Sequence, residues 1–445
     1  MWILGVDIGT SSLKMAVFQQ DDASFRVVRQ FTQAYEVNIY NDGLFADIEP
    51  HRWKEAFIAG CRAMAETLAD VDLIALSGTT PGLTAMDAHG DALYPAILML
   101  DQRSRKQARR IIDTIGLDTL LQTTANVPVA GGCSLASILW LRDREPDVFR
   151  RTHKFGHSNT YFAHWLTGAY AMDPSSASLT ALYNTTRNDC TWNPEIAGAF
   201  GLSLELLPPL VPAHTSVGRV RSPLARDLGL TKEPHVLIGG NDAVLAAYSV
   251  GVRSPGEIIN VNGTCEITLV CLPECLPSPH YNIRAHVLPG RWLTLHVMNA
   301  GGKALEWFQG VFCREMTDAD FYDAFLPQAL DAWLDRDSGV TYTPYLMGSR
   351  YAQEPLKAEL LGLTRTTTRE EVLAAVVRGL CRYQAGHLRE IEARVPLCDK
   401  IHLTGGAVNE ALIRAKQKWM RDSDYIHAEE SSVRGAALLA RLWAP

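Results

Sequence analysis

The chain has 445 residues, 47% of them apolar, enough for two to four ordinary domains and a large core. Its net charge of −7, with no run of Lys or Arg denser than Arg103 to Arg110, excludes a global attraction to nucleic acid or anionic membrane. Nine cysteines, an odd count without a C-x-x-C pair, read as free thiols of a reducing cytoplasm. The thirteen histidines show no metal-ligand spacing. No apolar run is long enough to span a membrane, and the N-terminus enters a strand without a charged leader. These features predict a cytoplasmic protein without membrane or nucleic-acid partners.

The first predicted element is a hairpin. Ile3-Leu4-Gly5-Val6-Asp7-Ile8 is an apolar run ending near an acid, Gly9-Thr10-Ser11 is a bend, and Leu13 to Phe18 is a second apolar run. Thr10, Ser11 and the N–H groups of such a bend suit phosphate oxygens, with Lys14 as an added positive charge. Asp7 at the strand end suits Mg2+, directly or through water. A tight hairpin without a ligand remains an equal reading at this point. Arg26 to Tyr35 reads as a strand, and Pro50 opens a helix whose spacing runs over Glu55 to Ala69. Val71 to Ser77 is a buried strand ending in Gly78-Thr79-Thr80-Pro81-Gly82, and Leu83 to Asp87 and Tyr94 to Leu100 follow as strands. Helices are predicted over Asp101 to Thr123, Ser134 to Asp143 and Asn159 to Gly168, then a polar loop at Asp173 to Ser176. Leu202 to Leu210 reads as a surface connection.

Val236 to Asp242 is strand then turn, and Ala243 to Val250 a helix leaving that turn. Glu257 to Val270 then repeats the opening: an apolar run, a Gly263-Thr264 bend, an apolar run. The echo, half a chain away, predicts two related α/β halves divided near residue 245, as 1–245 and 246–445. A strand at Trp292 to Asn299, a glycine pair at Gly301-Gly302, and a long helix from Arg369 to Val395 come next. Lys400 to Thr404 is a strand ending in Gly405-Gly406-Ala407, followed by helices from Asn409 and from Ser432 to Leu442.

Four strand-end turns therefore carry glycines: at Gly9, Gly239-Gly240, Gly263 and Gly405-Gly406. Ligands of open α/β sheets gather at strand carboxyl ends. Two facing Gly-Thr bends could clamp a polyphosphate, Asp7 and Asp242 would supply a metal carboxylate and a second acid, and Gly405 and Gly406 would admit a flat base. That inventory suits phosphoryl transfer. Neither a P-loop, a Rossmann fingerprint nor a hydrolase elbow is present.

In this order the motifs resemble those of the FGGY carbohydrate kinases, of the actin-like ATPase superfamily. The likeness runs nearly end to end, through Asp7 to Ser11, Asp101-Gln102-Arg103, Trp140-Leu141, Gly239 to Asp242, Gly263-Thr264, Pro344 to Arg350, Gly362-Leu363 and Thr404 to Ala407. Tyr94 to Leu98 and Leu166-Thr167-Gly168 look most like the xylulokinase branch. The resemblance implies two ribonuclease-H-like α/β domains flanking a cleft for ATP and Mg2+, and γ-phosphate transfer to a small sugar, such as xylulose or a related pentulose, or to a polyol. It implies Asp242 as catalytic base and a second acid near the metal, and Asp7 as the acid near Mg2+. It implies Thr10, Ser11, Lys14, Gly263, Thr264, Gly302, Gly405, Gly406 and Asn409 around the nucleotide. Thr79, Thr80, Pro81, Asp101 and Asn241 fall where the family reads its sugar. A homodimer is common in the family, but no stretch of sequence marks an interface.

The departures cluster at the sugar. Thr79-Thr80-Pro81 stands where xylulokinases usually carry Gln-Met-His; aliphatics at Leu98 to Leu100 replace a tryptophan, Ala243 an amide, and Ser137 a lysine. The hydroxyl pattern read here should therefore differ. An actin-like ATPase switch and a sugar-binding pseudo-kinase are the rival readings.

Overall fold

The computed structural model describes the whole chain except residues 22–23, 337, 352–355, 407–408, 430 and 444–445. Two six-stranded sheets dominate it. The first contains β1 (Trp2–Ile8), β2 (Ser12–Gln20), β3 (Phe25–Ala34), β4 (Leu73–Gly78), β5 (Ser216–Arg219) and β6 (His235–Asn241), in the order β5-β6-β4-β1-β2-β3. The second contains β7 (Ile258–Asn262), β8 (Glu266–Leu272), β9 (Asn282–Ala285), β10 (Trp292–Met298), β11 (Lys400–Thr404) and β12 (Asp424–His427), in the order β9-β10-β8-β7-β11-β12. Each sheet opens with antiparallel neighbours and then adds two parallel strands on the far side of its first strand, the first sheet ending there in the antiparallel edge strand β5. The repeat expected from the two Gly-Thr bends is thus a repeat of topology.

Parallel pairing decides where the strand ends fall. On β4, Ser77 lies opposite Asp7 of β1 and Gly240 of β6, and Gly78 opposite Ile8 and Asn241. Three carboxyl ends are therefore level. In the second sheet Val261 lies opposite Thr404, so the turns after β7 and β11 are level too.

The helices cover these sheets with faces set by helical spacing. In α1 (Pro50–Ala63) the buried residues Trp53, Ala56, Phe57, Gly60 and Cys61 follow an i, i+3, i+4, i+7, i+8 pattern. α2 (Ser158–Thr167) ends at Gly168, whose φ of +88° is the left-handed stop of a helix C-terminus. α3 (Asp242–Ser249) leaves β6 directly. α4 (Gly302–Phe312), α5 (Arg369–Glu392) and α6 (Glu410–Trp419) serve the second sheet. The terminal α7 (Ser432–Leu438) crosses back to pack on β1 and β4 and against α3. An apolar layer between the sheets unites Ile3, Phe18 and Leu237 of the first with Ile259, Leu269 and Leu293 of the second, through Leu245 of α3 and Ala436 of α7.

Several expected boundaries differ. The helix expected over Asp101 to Thr123 is two helices, Arg105–Ile115 and Leu117–Thr124, broken at Gly116 with φ +86°. The expected helix to Ala69 ends at Ala63, with a separate turn at Ala65–Leu68. Asp173 to Ser176, expected as a polar loop, is a buried helical turn: the Asp173 carboxylate accepts from the N–H groups of Ser175 and Ser176. Its polar composition serves a cap, not solvent. Leu202 to Leu210 holds a short 3-10 turn at Leu204–Leu206 and buries Leu207.

Where α3 and α7 cross, a Cβ on Gly435 would lie 2.0 Å from the carbonyl oxygen of Leu245. Backbone meets backbone there, so no side chain can yield. Gly435→Ala is expected to destabilise the protein by about 1–3 kcal/mol, the usual range for an overpacked core. A lowered urea midpoint with an unchanged m-value would show it; an unchanged midpoint would mean that the crossing can relax.

Candidate active site

The level ends of β1, β4 and β6 build one wall of a cleft. Asp7 is 5% exposed, and its Oδ1 accepts a 2.7 Å hydrogen bond from Ser77 Oγ. Burial pushes its carboxyl up from the usual range; hydrogen bonds from Ser77 and Ser432 and the charge of Lys14 oppose the rise. Ser432 begins α7, so the last helix reaches back to the first strand's acid. The other oxygen, Oδ2, lies toward the bend, 3.8 Å from where a Cβ on Gly9 would stand. The bend is pinned on both sides: Gly9 N–H donates to Ser12 O at 3.0 Å, and Tyr35 N–H to Ser11 O at 3.0 Å. Tyr35 Oη also donates to Gly9 O. Ser11 is exposed, as is Lys14 opposite Asp7 on β2.

Hydroxyls and an amide link this bend to Asp242. Thr10 Oγ1 and Thr79 Oγ1 are 3.1 Å apart, within hydrogen-bond distance. The next residue, Thr80, accepts from Asn241 Nδ2 at 2.6 Å. Asn241 Nδ2 also donates to Asp242 Oδ1 at 3.0 Å, while Asn241 Oδ1 caps α3 by accepting from Val244 N–H at 3.1 Å. Asp242 Oδ1 further accepts from Ala243 N–H at 2.8 Å. Asp242 is half-buried in the first turn of α3, where the helix dipole favours a carboxylate. Behind it, Asn241 N–H donates to Ser175 Oγ at 2.9 Å, and Ser175 Oγ donates to Asp173. The turn at Asp173 thereby supports the base of the site.

The remaining residues expected at the sugar are placed differently. Thr79, Thr80 and Pro81 are buried beside Asn241. Asp101 is fully buried and faces away from solvent: Oδ2 accepts from Ala46 N–H at 2.7 Å and from Arg103 Nε at 2.8 Å, and Oδ1 from Arg103 N–H at 2.8 Å. Arg103 also pairs with Asp47 at 2.6 Å and lies against the ring of Phe45. Asp101 thus anchors the loop before Arg105–Ile115.

The second jaw is backbone. Gly263 N–H donates to Cys265 O at 3.0 Å, while Gly302 N–H donates to Gly263 O at 2.9 Å and Gly301 N–H to Thr264 O at 2.9 Å. Gly263 and Thr264 are exposed, held open by the start of α4. A Cβ on Gly302 would lie 2.9 Å from Gly263 O, so only glycine keeps this approach. Gly405 has φ +104°, and a Cβ there would lie 1.9 Å from Asn262 O. That glycine locks the turn after β11 to the end of β7. Gly406 beside it is exposed; Ala407 lies outside the described residues. Asn409 caps α6, accepting from Leu412 N–H at 2.9 Å, and donates to Tyr322 O at 3.2 Å.

Between α4, α5 and α6 these turns border a cleft lined by Gly301, Gly302, Leu305, Val377, Leu380, Cys381 and Leu412. Its apolar walls beside the exposed Gly263-Thr264 turn suit a base and its phosphates. Lys416 and Glu266 close the floor as a 2.6 Å ion pair, both about 5% exposed, and Asn260 Nδ2 adds a 3.0 Å hydrogen bond to the same Glu266 oxygen. Among the described residues no group of three or more His, Cys, Asp or Glu side chains could hold a metal unaided. The oxygen donors here fit Mg2+ when phosphate oxygens share it, which is how that ion is commonly held.

Sequence reasoning missed Ser77, Tyr35, Ser175 and Ser432 as partners of the site, all brought in by pairing or packing over long separations. The capping pattern Asp173-Pro174-Ser175-Ser176 was the one local signal available for any of them.

Two sheets of repeated topology, with glycine-bearing turns at their strand ends and an apolar-walled cleft, define an actin-like ATPase fold of two α/β domains. Within that class, the chain belongs to the FGGY family of carbohydrate kinases: the family's N-terminal domain matches residues 2–249 and its C-terminal domain residues 259–442. Xylulose kinase of Staphylococcus xylosus is 25% identical over 99% of this chain and 90% of its own length. Xylulose kinase of Bacillus subtilis is 27% identical over 99% of this chain and 87% of its own length. The crystal structure of xylulose kinase from Rhodospirillum rubrum, 20% identical, superposes with a TM-score of 0.91 over 99% of this chain and 90% of that one. The protein is a sugar kinase, a phosphotransferase with ATP as donor and a small sugar as acceptor. No described helix is long and apolar enough to cross a membrane.

The buried pair at the cleft floor gives a test. Lys416→Met leaves Glu266 buried without its cation and is expected to destabilise the protein by about 3–5 kcal/mol. Glu266→Gln combined with Lys416→Met should recover most of that loss in urea unfolding. A double variant no more stable than the single one would show that the pair's charge is not what holds the floor.

Proposed function

We propose that Asp242 is the general base of this kinase and that its acceptor is a ketose such as xylulose, a related pentulose, or a polyol. One observation carries the assignment: one Asp242 oxygen is fixed by Asn241 Nδ2 and Ala243 N–H, and Asn241 Nδ2 is itself held on Thr80 Oγ1. A base so held is oriented before the acceptor arrives, which is where positioned proton transfer gains its efficiency. The acceptor hydroxyl gives its proton to Asp242 as its oxygen attacks the γ-phosphorus in line with the leaving ADP oxygen. Thr10, Ser11 and Lys14 on one side, and the N–H groups around Gly263 and Thr264 on the other, orient the phosphates. Gly302, Gly405 and Gly406 give the nucleotide close backbone approach.

Asp7 would hold Mg2+, with Asp242 as the second acid near it; when bound, that ion neutralises charge on the phosphate oxygens. Ser77 and Ser432 keep the buried Asp7 carboxylate acceptable in its charged form. Thr79, Thr80, Pro81, Asn241 and Asp101 form or support the acceptor wall. The names of the curated relatives favour xylulose, and the Thr-Thr-Pro loop favours a different set of hydroxyls from theirs. The nine free cysteines are consistent with a cytoplasmic enzyme. We place the division between its halves near residue 245, at α3.

Asp242→Asn tests the base. Sugar-dependent ADP release should fall by roughly 10²–10⁴-fold, while calorimetry should find ATP binding within a few-fold of wild type. Turnover within a few-fold of wild type would remove Asp242 from the base role.

A further inference from the structure

Among the described residues one buried cation of the second domain, Arg284, forms no ion pair. Arg284 lies in β9, only 3% exposed. Its single hydrogen bond among the described residues runs from Nη1 to the carbonyl of its own neighbour Ile283, at 3.3 Å, and its Nε has no partner. The other cations buried beside the site are paired, Arg103 with Asp47 and Asp101 and Lys416 with Glu266. A buried guanidinium without an anion is unfavourable unless a ligand completes it.

The placement of β9 says where that ligand would sit. Its outer edge is held by the first domain: Asn126 Oδ1 accepts from Ile283 N–H at 2.9 Å, Asn126 Nδ2 donates to Ile283 O at 2.9 Å, and Ser178 Oγ accepts from Ala285 N–H at 3.0 Å. Ile283 points into the second domain's core, so strand alternation turns Arg284 to the opposite face. Arg284 pairs with Leu293, which packs in the apolar layer between the sheets, so that face looks toward the first domain. Val287, just past β9, stands 3.3 Å from where a Cβ on Gly240 would be. Burial lowers the Arg284 guanidinium to about 9; the charges of Tyr351 and Asp242 work against that fall, and Arg350 adds to it. The guanidinium therefore shares its surroundings with the base.

We propose that Arg284 is a specificity-determining residue that pairs with a carboxylate on the acceptor, so that this kinase prefers a sugar acid over the neutral ketose or polyol of the same length. This inference rests on the kinase reading and puts an acid of the same length in place of the neutral acceptor. The planar fork of an arginine matches the two oxygens of a carboxylate. A monoanion would be neutralised by it, leaving no net negative charge to oppose Asp242; a phosphate dianion would leave one.

The experiment is a coupled ADP-release assay on the full chain with ATP and Mg2+. The acceptors are aldonates of four to six carbons, each paired with its alditol, together with the neutral pentuloses. Wild type, Arg284→Met and Arg284→Lys are compared, with thermal melting to confirm that each is folded. Wild type should favour at least one aldonate over its alditol by about 10²-fold in kcat/KM, as expected for a lost charge-assisted contact. Arg284→Met should bring that ratio close to one, and Arg284→Lys should restore part of it. If Arg284→Met does not fold, calorimetric binding of the preferred aldonate to wild type and to Arg284→Lys, with the alditol as control, carries the same comparison. Turnover of neutral acceptors with no preference for acids overturns this inference and leaves the kinase reading standing. So does a loss in Arg284→Met that is equal for acids and alditols, since that would make Arg284 a partner of Asp242 rather than of the acceptor. No turnover of either class would overturn both.

Discussion

The site depends on parallel pairing of β4 with both β1 and β6. β1 and β4 pair in continuous register, and β6 shifts by one residue between Leu237 and Gly240 before pairing with Ser77 and Gly78, which brings the three ends level. Ser77 therefore stands beside Asp7, and Gly78 beside Asn241. Everything polar at that edge follows. Ser77 donates to Asp7, the residues just past β4 reach Thr10 on one side and Asn241 on the other, and Asn241 both caps α3 and holds Asp242. A hydrogen-bonded row in a low-dielectric wall has little freedom to rearrange, so the acids are oriented by the fold before any ligand binds.

The same logic joins the halves. α3 and α7 fill the space between two sheets that would otherwise each expose an apolar face, and Gly435 permits their close crossing. Because α7 begins with Ser432 at Asp7 and also packs along β1 and β4, any movement of one sheet against the other passes through that contact. The cleft between α4, α5 and α6 lies on the second sheet and Asp242 on the first.

How much of this was legible in the sequence depended on range. The bends at Thr10 and Thr264 were readable because apolar runs broken by Gly-Thr are local patterns, and the step from Asn241 into α3 because an acid follows an amide cap at a strand end. Ser77 and Ser432 were not readable as partners of Asp7, since their roles come from pairing and packing across 70 and several hundred residues. Asp101 entered as a sugar residue through the resemblance; its bonds to Arg103 two residues away and to the backbone of Ala46 were not readable beforehand. Asp173 to Ser176 read as a solvent loop because its composition is polar, whereas the polar atoms satisfy a buried cap. Arg284 carries no motif at all. What marks it is that no ion pair meets it among the described residues, a property of three-dimensional surroundings.

Those facts also bear on how the acceptor is chosen. The first domain offers fewer free groups than its residue types suggest: Thr79 is engaged with Thr10, Thr80 with Asn241, Asp101 with Arg103, and Pro81 has no N–H to give. A wall whose polar atoms are already satisfied can shape a sugar but gains little from any one hydroxyl, because each new bond replaces an existing one. Discrimination then falls to groups left unsatisfied, where the right partner gains most and the wrong one leaves a buried charge bare. Arg284 meets that condition from the opposite domain. A reader placed there would engage fully only when the halves come together, so recognition of the acceptor and closure over the phosphates would be one event.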